Sequence, residues 1–251
     1  MPVDLTLELT TRPGSTVVTV AGDLDLAGYR LLRDGLLKVA AEVPPRLIAD
    51  VDALVIEDLS PATVFTFVAK RVENWPGIPF AVVTRQHRHL RAFHRHGIDR
   101  FVAVHATVEK AEAGAATPVR LTARRVLPRT PAVIDDAREL VRDHAVRWKV
   151  PELVDDATLV VGELVRNVVQ HTGSEPDLRL ALWSGLFSVA VADESDHPAT
   201  LLERADAREP GLGLRIVADV ARAWGNSHRW SGGKIVWAVL TRRSPGVGGP
   251  G

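Results

Sequence analysis

Cysteine is absent from the sequence, which excludes a disulfide framework, a thiolate zinc site and a cysteine nucleophile at once. Aromatic residues are scarce at 5%, and the six tryptophans fall mostly in strand-like runs or at helix ends, where they read as packing residues. No window approaches the ~18 uninterrupted apolar residues of a membrane-spanning helix, so no span is expected. The opening MPVDLTLELT has no basic segment followed by an apolar run, so it does not read as a signal peptide, and a cytoplasmic location is expected. Charge of one sign is missing too. The 31 basic and 31 acidic residues cancel, and no global field argues for nucleic acid or an anionic membrane. There is no GxxxxGK(S/T) loop and no repeat at a fixed period. What is present is ordinary for a globular chain, 46% hydrophobic and 25% charged, and 251 residues suit one large domain or two of usual size.

Apolar periodicity resolves the chain into two stretches of unlike order. Residues 4–10 and 16–21 form a strand pair around RPGS, followed by a helix with Asp25 as N-cap and Leu32, Leu36 and Val39 at helical spacing. RLIADVDALV returns to strand. A second helix begins with Ser60 at its N-cap and Pro61 in its first turn. IPFAVVT, a helix near 86–96 and RFVAVHA continue the alternation of a small α/β domain over residues 1–108. Residues 109–119, EKAEAGAATPV, lack a sustained apolar period and read as a linker. A second domain spans 120–243. It holds a strand, a helix over 130–148 with Thr130 as N-cap, a further helix, a hairpin turning at Gly185, the helix GLGLRIVADVARAWG and a closing hairpin. The tail 244–251 reads as disordered on composition.

GELVRNVVQH, residues 162–171, is the stretch that most needs a reason. Positions four apart on a helix drift only ~40°, so Glu163, Asn167 and His171 share one face. Val161, Leu164, Val165, Val168 and Val169 make a broad apolar stripe on the other side. The polar row lacks the Lys–Glu pairs that usually fill a solvated face, and Asn costs several tenths of a kcal/mol there relative to Ala. An aligned acid, amide and imidazole would suit a hydrated metal and a proton acceptor. A solvated face explains the row equally well on this helix alone.

Two further features lie downstream. Asp193 ends the buried-looking strand FSVAVAD, where a carboxylate can accept from an exocyclic amine or simply serve a turn. In EPGLGLRIV, Gly211 and Gly213 stand at the mouth of a helix, where free N–H groups favour phosphate. Each is weak singly. Their order is more specific: helix with ELVxNxxxH, strand ending in Asp, polar loop, GxGL opening a helix, closing hairpin. Over residues 118–242 this order resembles the GHKL ATPase domain and, more narrowly, the anti-sigma-factor serine kinases in the form common in actinobacteria. The resemblance implies Glu163 as the general base for a protein hydroxyl attacking the γ-phosphate of ATP, and Asn167 as a Mg²⁺ ligand. It implies Asp193 as the reader of the adenine amino group. It also implies Gly211, Leu212 and Gly213 as the motif that lets the loop and helix close on the phosphates. His171 receives no role. Two positions depart from the family pattern: Ser195 stands where a glycine is usual, and Ile235 where related sequences often carry a threonine, a phosphate-side hydroxyl.

The first half resembles a STAS domain, the fold of anti-sigma-factor antagonists, over about residues 3–108, through GDLD after a strand, a strand ending AD and an Asp-Ser-containing turn into a helix. Antagonists usually read DS(S/T)G at that turn, whereas this chain reads Asp58-Leu59-Ser60-Pro61. Ser60 therefore aligns with the phosphoacceptor region and equally fits an N-cap. The cluster RQHRHLRAFHRH carries four arginines and four histidines without an acid. His87, His94 and His96 cannot share one helix face, so a basic solvated helix docking an acidic partner is preferred over a metal site.

Together the resemblances imply a two-domain α/β protein, STAS joined to a GHKL (Bergerat) α/β sandwich. Its function would be ATP- and Mg²⁺-dependent partner switching. It would phosphorylate Ser or Thr on an antagonist protein and hold a sigma factor from RNA polymerase, with no direct contact to nucleic acid or membrane. A homodimer stays open, as does contact between the halves in cis or in trans. The rival reading is a binding module without catalysis, favoured by Ser195, Ile235 and the altered Asp58–Pro61 turn. Glu163 and Asn167 favour the enzyme. A histidine kinase lacks support, because no separate phosphoacceptor helix with a dimerisation heptad is visible.

Overall fold

Alternating exposed and half-buried residues carry strand β1 (Thr6–Arg12) into a tight turn, and the chain returns antiparallel as the buried β2 (Ser15–Asp23). The computed structural model describes residues 4–56, 60–114, 120–195 and 212–242. The chain divides into two compact units, Met1–Thr117 with Arg229–Ser231, and Pro118–His228 with Gly232–Gly251.

In the first unit every pairing after β2 is parallel, to β3 (Leu47–Val55), β4 (Phe80–Val83) and β5 (Ala103–His105), in the order β1-β2-β3-β4-β5. Parallel neighbours need crossovers, which helices α1 (Leu26–Ala40), α2 (Thr63–Asn74) and α3 (His87–Arg95) supply. Successive strand residues face opposite sides of the sheet. Leu47, Ala49 and Val51 join Leu32, Leu36 and Phe65 in the main core, while Ile48, Val17, Ala81 and Val83 pack under Ala111. Ala111 belongs to α4 (Val108–Ala113), so the segment expected to be linker from residue 109 begins inside a helix. The reason is local and tertiary at once: Thr107 caps α4 from its side chain, and Glu112 holds Ser15 and Arg12 of the sheet.

Two expected caps are corrected. Asp25 does cap α1, its carboxylate accepting from Gly28 N at 2.7 Å. Ser60 does not cap α2, because Ser60–Ala62 is a 3-10 turn that places Ala62 at the N-cap. The fixed φ of Pro61 suits such an opening turn, and the Thr63 hydroxyl donates back to the Ser60 carbonyl at 2.8 Å. Helix α5 (Val133–Arg147) likewise has Ala132, not Thr130, at its N-cap.

The second unit is a fully antiparallel sheet in the order β6-β7-β8-β10-β9. Its strands are β6 (Leu121–Val126), β7 (Asp177–Trp183), β8 (Leu186–Asp193), β9 (Ala223–His228) and β10 (Lys234–Leu240). Ser184 and Gly185, with φ of 46° and 76°, form the two-residue left-handed turn that matches strand twist between β7 and β8. Helices α5, α6 (Val154–His171) and α7 (Leu212–Val220) share a core with the sheet face carrying Leu178, Val189, Val191, Val236 and Ala238. The sequence led α7 on to residue 225, yet residues 223–228 are strand β9, because pairing with β10 takes their backbone hydrogen bonds.

Candidate functional site

Helix α6 is one uninterrupted run of 18 residues. Asp155 and Asp156 in its first turn and His171 in its last suit the helix dipole. Its stripe of Ala157, Val160, Val161, Leu164, Val165 and Val168 is buried against the sheet, which leaves the polar row on the flank of that stripe. Glu163 has a side chain only 12% exposed and is ion-paired with Arg166, one turn further along the same helix. Asn167 is half-buried, and its side chain makes no hydrogen bond among the described residues. His171 is exposed at the end of the helix.

Asp193 is the last residue of β8 and is buried. By alternation with Val189 and Val191 it points to the face on which α6 packs. Its two oxygens are treated differently. Oδ1 accepts from the Lys234 ammonium at 2.9 Å and from Ser195 N at 2.8 Å, whereas Oδ2 is buried with no hydrogen-bond partner among the described residues. An unsatisfied buried acceptor costs about 1–3 kcal/mol, so this atom is complementary to an incoming N–H donor. Lys234 is itself buried and is the register partner of Asp193 across the β8–β10 pair. The next residue back, Gly233, sits at φ 73°, and a Cβ there would lie 2.1 Å from the Asp193 carbonyl oxygen. Only glycine permits that approach.

Helix α6 contacts β8, β10 and α7, so the acid–amide row, the Asp193–Lys234 pair and the helix opened by Leu212 and Gly213 belong to one face of one sheet. Gly211 lies outside the described residues. Ser195 serves Asp193 through its backbone N–H, a contact for which the side chain is immaterial. The expectation for Ile235 is corrected. It pairs with Ala192 and Ser227, and alternation turns it to the sheet face opposite Val236 and α6, so a hydroxyl there would not reach the α6 side. Lys234, Gly233 and Arg166 were not singled out from the sequence. The one local signal was a lysine opening the otherwise apolar run KIVWAVL.

In the first unit Ser60 is exposed at the start of its 3-10 turn, and Asp58 and Leu59 lie outside the described residues. Helix α3 is less solvated than expected. His89 is buried, with Nδ1 at 3.0 Å from the Thr84 hydroxyl, and Phe93 beside it is also buried. Acids from outside the cluster answer it, Asp52 to Arg85 and Asp99 to His94. Among the described residues no group of three or more metal-ligating side chains could hold a metal ion, and no helix is long and apolar enough to cross a membrane.

Comparison with known proteins agrees with this division. Residues 6–111 match the STAS domain model, and residues 127–240 match the model of the histidine kinase-like ATPase domain. The two units are accordingly an N-terminal STAS fold and a C-terminal histidine kinase-like ATPase domain. That pairing fits a partner-switching regulator. Among solved structures, an anti-sigma factor antagonist from Mycobacterium paratuberculosis is 22% identical over 44% of this chain and 92% of its own, with a TM-score of 0.40. The phosphorylated Bacillus cell fate determinant SpoIIAA is 19% identical over 43% of this chain and 96% of its own, with a TM-score of 0.33. No curated protein matches the chain significantly.

Proposed function

We propose that the chain is an ATP- and Mg²⁺-binding partner-switching regulator. Its second domain transfers the γ-phosphoryl group to a Ser or Thr of an antagonist protein and restrains a sigma factor. The observation that carries the reading is Asp193 Oδ2, a buried carboxylate oxygen without a donor, on the sheet face flanked by α6 and α7. It fits the exocyclic amine of adenine. Asn167, half-buried and without a partner, offers one amide oxygen, which suits Mg²⁺, an ion that takes few protein ligands beside substrate phosphates. The metal would offset charge on the phosphates. In the transfer the antagonist hydroxyl oxygen bonds to the γ-phosphorus, the bond to the β-phosphate oxygen breaks, and the hydroxyl proton passes to the Glu163 carboxylate.

One observation favours a second reading, a nucleotide-gated binder with little catalysis. Glu163 is engaged by Arg166, so its carboxylate must leave that ion pair before it can reach a substrate hydroxyl. Ser60, exposed in the STAS half, is proposed as the residue a kinase of this kind would modify.

Calorimetric titration of ATP with Mg²⁺ into the wild type and Asn167→Ala, with phosphoprotein mass spectrometry on the same samples, separates these readings. Binding that weakens about tenfold or more in the variant supports the site. Phosphate on Ser60 or on an added antagonist supports the kinase, and binding without transfer supports the gated binder. Absence of binding in both proteins sinks the nucleotide reading.

A further inference from the structure

Resting on the nucleotide site proposed above, we infer that Lys234 is the positioning residue that makes this site prefer adenine to guanine, by occupying Oδ1 of Asp193. A carboxylate with two free oxygens can accept two parallel hydrogen bonds. Guanine offers such a pair, its ring N1–H and its adjacent 2-amino group, whereas adenine offers a single amino group at C6. An unencumbered aspartate in this position would therefore reward guanine. Here the second acceptor is already spent. Lys234 Nζ lies 2.9 Å and Ser195 N 2.8 Å from Oδ1, leaving Oδ2 as the one acceptor presented. One acceptor matches one donor.

The pair is built into the sheet. Asp193 and Lys234 face each other across the β8–β10 ladder, and their side chains are 0% and 5% exposed, so neither charge is answered by water. Gly233 brings the two backbones together at this point. Lys234 acts on the base through Asp193.

The test is the ratio of GDP to ADP dissociation constants, measured by calorimetry on the full chain. The wild type should bind ADP far more tightly than GDP. Lys234→Met should weaken ADP about tenfold or more and lower the ratio by about as much, and Lys234→Arg should restore both. The double variant Asp193→Asn/Lys234→Met removes both charges and so should recover thermal stability without recovering the ratio. That double variant also reads the ratio if Lys234→Met fails to fold. A wild-type ratio in Lys234→Met, or its recovery in the double variant, overturns the role of Lys234 alone. Failure of the wild type to bind ADP, or undiminished ADP binding by Asp193→Asn, overturns the nucleotide site and this inference with it.

Discussion

Among the described residues of the second unit two aspartates are buried, and their surroundings differ. Asp177 is saturated. Arg124 reaches both its oxygens at 2.8 and 2.9 Å, and Arg179 adds two further bonds at 2.8 and 3.0 Å. Burial works to raise its pKa, and the hydrogen bonds and charges of the two arginines outweigh it, leaving the carboxyl below its usual range. Asp193 keeps one oxygen unanswered in an equally dry place. In the first unit the informative residue is His89, whose pKa burial lowers, with the Arg88 charge acting in the same direction. A histidine kept neutral by folding takes up its proton more readily when unfolded. Stability linked to His89 is therefore full above its unfolded pKa of ~6.5, falls as pH drops below that value, and stops falling at the lower folded pKa. Chemical denaturation between pH 7 and 5 should show this loss, with a slope of up to about 1.4 kcal/mol per pH unit. His89→Gln should flatten that slope. An equal slope in the variant would assign the loss to other groups.

At the scale of elements, two glycines that look alike in sequence have opposite reasons to be there. Gly162 is inside α6, and a Cβ would meet the Arg138 guanidinium at 2.9 Å, the far end of a flexible side chain that can swing away. Replacing glycine by alanine in a helix gains about 1 kcal/mol. Gly162→Ala should thus be neutral or stabilising by up to about that amount. Gly233 is at the mouth of β10 with φ 73°, and its Cβ would strike the Asp193 backbone, which cannot yield without breaking the ladder. Gly233→Ala should destabilise by about 2 kcal/mol or more, since the left-handed conformation alone costs 1–2. Thermal melts of both variants check the contrast, and comparable destabilisation by the two would refute it. The same scale explains the shifted caps. Ser60 and Thr130 precede prolines in sequences that favour a helix start, but each chain segment first makes a tighter turn, and the regular helix begins two to three residues later.

For the whole molecule, the expected pair of α/β domains of unlike order is what the chain forms, with a mixed sheet in one unit and an antiparallel sheet in the other. A ligand that binds only the native state stabilises what it touches, by about 2.7 kcal/mol at a hundredfold excess over Kd. Hydrogen exchange with saturating ADP should therefore slow amides of α6, β8 and the start of β10. Protection that extends into residues 60–75 would mean the STAS half reads the nucleotide state, and unchanged exchange throughout would count against a nucleotide site.

Much of this was legible because it is local. Period-two and period-3.6 patterns mark strands and helices, and the four-residue spacing alone put Glu163 and Asn167 on one helix flank. The sequence determined that such a row exists and that a carboxylate ends β8. Only the tertiary structure decided that Lys234, 41 residues away, is the partner of Asp193, because that requires the register of two strands that are not consecutive in the chain. It also decided where α7 stops. Ala223 and Trp224 continue the apolar pattern of the helix before them, and pairing of residues 223–228 with β10 satisfies their backbone in a way that no local preference could announce. The same alternation along β10 turned Ile235 away from the sheet face that carries α6 and Lys234 toward it.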